Sequence, residues 1–147
     1  MTYIRIGVVS TRSHVTFDRE MAKQRIAQAF DEVFTHFAPR GVERLTIVLR
    51  SLEGVLATAH EEAKKRGWVV ETVPYNDPPA PPFPANELSI AGRSWGKYGS
   101  IFVGDIDGII QISGTEPTCP ETLEAMDLEK PVFVYQLLML SMQPEVA

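Results

Sequence analysis

The chain has 147 residues, 44% of them apolar, and carries a net charge of −5 with a single cysteine, Cys119. That length suits one domain spanning residues 1–147, able to bury about 70% of the surface its unfolded chain exposes without staples. The acidic balance argues against a nucleic-acid partner, whose phosphates reward a basic face, and one cysteine excludes an internal disulfide.

No apolar run approaches the ~20 residues a bilayer requires. The opening MTYIRIGVVS lacks a basic region followed by a long apolar stretch, so neither a membrane span nor a secretory leader is expected. With the lone cysteine, this favours a cytoplasmic protein. Residues 3–9, YIRIGVV, are rich in β-branched residues and mostly apolar, and read as a central strand. The polar loop STRSHVT follows, and Thr16 or Asp18 is placed to cap a helix. In that helix Ala22, Ile26, Ala29, Phe30, Val33 and Phe37 recur at three- and four-residue steps, ending near Pro39-Arg40-Gly41. LTIVL, residues 45–49, is a second buried strand. Ser51 reads as the cap of a second helix, SLEGVLATAHEEAKKRG, with Val55, Leu56, Ala59 and Ala63 on one face. Acidic residues come early in it, Lys64-Lys65-Arg66 come late as the helix dipole prefers, and Gly67 is the expected stop. WVVETV, residues 68–73, is a third strand.

YNDPPAPPFP, residues 75–84, holds five prolines in ten residues and reads as an extended loop. A third helix is expected over residues 86–103. DGIIQI, residues 107–112, is a fourth strand, residues 119–129 a short helix, and PVFVYQL, residues 131–137, a fifth strand. The tail LMLSMQPEVA suits an edge or a dimer contact. Strand and helix alternate throughout. This predicts an α/β, Rossmann-like, doubly wound fold with a mainly parallel five-stranded sheet in the order 3-2-1-4-5 and helices on both faces.

Ligands of such sheets bind at the carboxyl ends of the strands, where the strand order reverses. Three loops are expected there: STRSH (10–14), RSLEG (50–54) and SGTEPT (113–118). Their hydroxyls, arginines and helix starts are the groups that hold an anion, in keeping with a nucleotide. The candidate ligand-holding residues are Ser10, Thr11, Arg12, Ser51, Gly54, Ser113, Gly114, Thr115 and Thr118. Thr118-x-x-Glu121 also matches a capping box, with Thr118 at the N-cap and Glu121 reaching back to it. His14 sits in a loop where solvent is its natural neighbour. His36 and His60 lie on helices with no second ligand at useful spacing, so neither a metal centre nor another cofactor is implied. Cys119 stands at a helix start, a position that lowers a thiol pKa.

In these features the chain resembles the SLOG superfamily of Rossmann-like proteins, which includes LOG-type phosphoribohydrolases, DprA-like proteins and molybdenum-cofactor carriers. The LOG pattern P-G-G-x-G-T-x-x-E, opening a helix after a strand, has its counterpart in Ile112-Ser113-Gly114-Thr115-Glu116-Pro117-Thr118-Cys119-Pro120-Glu121. Ser113 replaces the first glycine and one residue is inserted before Thr118. VVSTRSH is similar to the loop after the first strand of some members. SLEGVLATAHEEAKKRGWVVETVP resembles their second unit, with Arg50-Ser51 where paired glycines are usual. AGRSWGKYGSIFVGDIDGIIQISG resembles the arginine-bearing helix leading into the fourth strand. The likeness spans residues 4–137. It implies a nucleotide or sugar-phosphate ligand and a homo-oligomer. By the same resemblance, Glu121 and Arg93 would act on the N-glycosidic bond of a nucleoside monophosphate. An arginine and helix starts would hold its 5′-phosphate. The replaced glycines favour binding without catalysis, because a side chain keeps backbone away from phosphate.

Overall fold

The computed structural model describes residues 4–10, 17–52, 54–72, 102–113 and 116–137. In chain order these form β1 (Ile4–Val9), α1 (Arg19–Phe37) continued by a 3-10 turn (Ala38–Arg40), β2 (Leu45–Leu49), α2 (Val55–Lys65), β3 (Val69–Thr72), a helical turn at 102–104, β4 (Gly108–Ile112), α3 (Pro120–Asp127) and β5 (Val132–Tyr135). The five strands make one sheet in the order β3-β2-β1-β4-β5, and every pairing is parallel. The fold is Rossmann-like α/β, as the alternation predicts. The proline-rich stretch 75–84, the third helix up to residue 101 and the tail 138–147 lie outside the described residues.

Side-chain alternation along each strand divides the core into two layers. Ile4, Ile6 and Val8 of β1, Leu45, Ile47 and Leu49 of β2, and Ile110 and Ile112 of β4 point to one side, where α1 and α2 cover them. Val9, Val48 and Ile109 point to the other, against Phe102 and Val103 of the helical turn and Ala125 of α3. Strands buried on both faces have no polar face to spare, which is why LTIVL and GIIQI are nearly continuous apolar runs. On the second side Gly7 makes room for an aromatic ring: a Cβ there would stand 2.7 Å from Phe102 Cζ.

The buried face of α1 consists of the six residues its periodicity marks, Ala22, Ile26, Ala29, Phe30, Val33 and Phe37. Of the two candidate caps, Asp18 takes the role, its carboxylate accepting from Met21 N at 3.0 Å. Gly41, at φ 80°, turns the chain after Pro39. The second helix departs from expectation at its start. Its N-cap is Gly54, not Ser51, with no side-chain cap and no acidic residue in the first turn. Leu52, two residues earlier, is non-helical and exposed, so β2 leads into a longer turn than a Ser51 cap allows. The end of α2 matches: Lys64 and Lys65 close it and Gly67, at φ 76°, stops it.

Polar clamps tie the amino-terminal rim. Arg5 donates Nε to Asp105 O at 2.8 Å and pairs with Glu71, while its backbone N–H donates to the Asp107 carboxylate. Lys130 Nζ donates to the carbonyls of Val103, Gly104 and Ile106, closing the carboxyl end of the 102–104 turn where a cation is favoured. Arg66 joins the two helices of the other layer, bonding Glu62 and Asp31 and lying 5.2 Å from the Trp68 ring centroid. Among the described residues no helix is long and apolar enough to cross a membrane.

Candidate functional site

The strand order puts β1 beside β4, with β2 on the far side of β1, so the carboxyl ends of these strands converge. Sequence parity then decides which layer each side chain joins. Arg50 follows Val48 by two and Gln111 and Ser113 follow Ile109 by two and four, so all three side chains join the layer of Phe102 and α3. This is the polar margin of an apolar layer.

Ser10, one residue past β1, donates Oγ to Ile112 O at 2.9 Å. It therefore fastens the ends of β1 and β4 together just beyond their last ladder pairs. On the neighbouring strand Gln111 is fully buried, and its amide is saturated. Nε2 donates to Ser113 O at 2.8 Å, Glu116 O at 3.0 Å and Thr118 Oγ1 at 3.3 Å. Oε1 accepts from Thr118 N at 3.0 Å and Cys119 N at 3.1 Å.

The start of α3 corrects the capping-box reading. Cys119 is the N-cap and makes no side-chain cap, and Pro120 is the first helical residue. The register is one residue later than the pattern Thr118-x-x-Glu121 requires. The physical reason is the buried amide: Thr118 is bound by Gln111, leaving Glu121 to turn inward. Its carboxylate Oε2 lies 3.3 Å from Arg50 Nη1, with the two side chains 5% and 0% exposed. The Arg50 guanidinium carbon in turn lies 5.4 Å from the Phe102 ring centroid, so a cation, a carboxylate and an aromatic ring interlock beneath the strand ends.

Cys119 is not the activated thiol its helix-start position suggests. Burial pushes it up to about 11, the Glu121 carboxylate adds to the rise, and the nearby Thr122 hydroxyl only partly opposes it. Two hydroxyls here, Ser113 Oγ and Thr122 Oγ1, are buried with no hydrogen-bond partner among the described residues. Leaving such a group unpaired costs about 1–3 kcal/mol, which marks the spot where an incoming polar group would be rewarded. Among the described residues no cluster of three His, Cys, Asp or Glu is placed to hold a metal ion.

Of the residues predicted from sequence, Ser10 bonds the carbonyl of Ile112 at the end of β4, Thr118 is tied to the Ser113 carbonyl through Gln111, and Glu121 pairs with Arg50. Ser51 and Gly54 are half-buried in the turn that opens α2. Thr11, Arg12, Arg93, Gly114 and Thr115 lie outside the described residues, as does His14. Sequence reasoning missed Gln111 and the pairing of Arg50. Both carried a signal, since a long polar side chain inside or just after an apolar strand must find buried partners. Comparison with family models, with curated proteins and with solved structures finds no match for this chain.

Proposed function

We propose that this chain binds a nucleotide or a phosphorylated cofactor in the manner of a SLOG-type protein, with the ligand at the carboxyl ends of β1 and β4. One observation carries the reading. At the strand switch point, Ser113 holds a buried hydroxyl without a partner among the described residues, on the same face of the sheet as the buried Arg50–Glu121 pair. Neighbouring Ser10 holds the two strand ends together, and Ser51 and Gly54 border the same rim from β2. Thr11, Arg12, Gly114, Thr115 and Thr118 complete the proposed ligand-holding set. A cytoplasmic homo-oligomer belongs to the same reading, and sedimentation at monomer mass would count against that part.

A second reading is a nucleoside 5′-monophosphate N-glycosidase, with Glu121 as the catalytic carboxylate and Arg93 as its partner. Its support is the position of Glu121 in the first turn after β4. The burial of Glu121 at 4% exposure and its pairing with Arg50 weigh toward binding instead. A thermal-shift screen with nucleoside mono-, di- and triphosphates and sugar phosphates tests the first reading. A rise of several degrees corresponds to about 1–3 kcal/mol of linkage; no rise with any probe rejects it. Chromatographic assay for free base after long incubation with each hit tests the second, and turnover that survives Glu121→Gln removes Glu121 from the chemistry.

A further inference from the structure

We propose that Gln111 is the positioning residue of this site: its amide fixes residues 113 and 116–119 ahead of α3 and withholds the N–H groups of Thr118 and Cys119 from a bound anion. The ligand half of this inference rests on the binding role proposed above.

A primary amide offers two donor hydrogens and one carbonyl oxygen with two lone pairs. At Gln111 both ends are engaged with one short turn: the oxygen takes the N–H groups of Thr118 and Cys119, and the nitrogen reaches the carbonyls of Ser113 and Glu116 and the hydroxyl of Thr118. The amide is anchored in β4 and fully buried, so its position is set by the sheet, and the turn is shaped around it. No other side chain meets this demand. Glutamate loses the donors when ionised, asparagine is one methylene short, lysine accepts nothing, and methionine keeps the volume without the bonds.

A helix start normally offers its first N–H groups to an anion. Here the two N–H groups just ahead of the helix, those of Thr118 and Cys119, are spent on the amide oxygen, and Pro120, the first helical residue, has none. The approach to α3 is therefore satisfied from inside, and the first N–H groups of the helix itself are those of Glu121 and Thr122. A ligand meets this turn through side chains, Ser113 foremost, in the orientation Gln111 imposes.

The experiment compares wild type with Gln111→Met and Gln111→Glu, reading hydrogen-exchange protection of the Thr118 and Cys119 amides and calorimetric binding of adenosine 5′-monophosphate and ribose 5-phosphate. In Gln111→Met both amides lose protection by at least tenfold, and the probes that wild type binds do so at least tenfold more weakly. In Gln111→Glu protection and affinity recover as the pH falls, because the neutral acid regains one donor while keeping an acceptor, whereas the carboxylate faces three oxygens. A space-filling role predicts no such pH profile. Unchanged protection in Gln111→Met, or lost protection with unchanged affinity, overturns the assignment. Should Gln111→Met not fold, a pH-independent Gln111→Glu overturns it equally. If wild type binds neither probe at any concentration, the ligand reading fails, while the protection data still decide whether Gln111 governs the turn.

Discussion

Removing one member of the Arg50–Glu121 pair takes a direct ionic contact from a side chain that stays buried. Both side chains are at least 95% buried and the contact is 3.3 Å, so water cannot take over the lost partner's role. Truncating one side of such a pair costs about 3–5 kcal/mol, whereas replacing both sides with apolar groups of similar volume is often close to neutral. For a chain of this size each kcal/mol moves the melting midpoint by roughly 2–4 °C. Glu121→Gln is therefore expected to lower it by on the order of 10 °C, and Arg50→Met by a similar amount, the latter also abandoning the Phe102 ring. The double variant Arg50→Met/Glu121→Leu is expected to recover most of the loss. Urea denaturation of wild type, Arg50→Met, Glu121→Leu and this double variant at neutral pH closes the cycle, and a coupling above about 1.5 kcal/mol is expected for residues in direct contact. Losses that simply add in the double variant would refute the claim that burial of paired charge dominates here. The activity comparison with Glu121→Gln belongs well below its lowered midpoint.

Cys119 should resist alkylation in the native protein. A thiol raised from its ordinary 9.0 to about 11 holds far less thiolate at pH 8, so iodoacetamide labelling is expected to be at least a hundredfold slower folded than in urea; equal rates would show an exposed, ordinary thiol. The same shift acts on stability in one direction only. The buried neutral thiol contributes fully below pH 9, and that contribution is lost as the pH rises from 9 through 11, so Cys119→Ala should flatten any alkaline decline in melting midpoint over that window. Gly7→Ala sets a methyl 2.7 Å from Phe102 Cζ and 3.1 Å from Ile106 Cδ1 and is expected to cost about 1–3 kcal/mol by overpacking. Combining it with Phe102→Leu should recover part of the loss in denaturant titrations, and an unperturbed Gly7→Ala would mean the ring moves freely.

The architecture was legible because its signals are periodic and cheap to read. The apolar steps of α1 and α2 named their buried faces residue for residue, and β2 was bounded by the limits of its apolar run. The strand order is the one expected of a doubly wound parallel sheet. Local hydroxyls misled at both helix starts. Ser51 and Thr118 have the chemistry of caps, but Gly54 and Cys119 hold those positions. Capping is a local preference of about 1 kcal/mol and yields when a buried group makes a stronger demand. At α3 that demand comes from Gln111, seven residues before Thr118, and from Arg50, seventy-one residues before Glu121. Contacts across such separations leave no spacing in the sequence. What remained visible was their oddity: a glutamine inside GIIQI and an arginine ending LTIVLR.

The guanidinium of Arg5 lashes β1 to Glu71 of β3, across β2, and to the bend ahead of β4. At this rim the clamps are partly exposed and charged, whereas at the other the Arg50–Glu121 pair and the Gln111 amide are buried. Salt should therefore weaken the first set of contacts and leave the second nearly untouched.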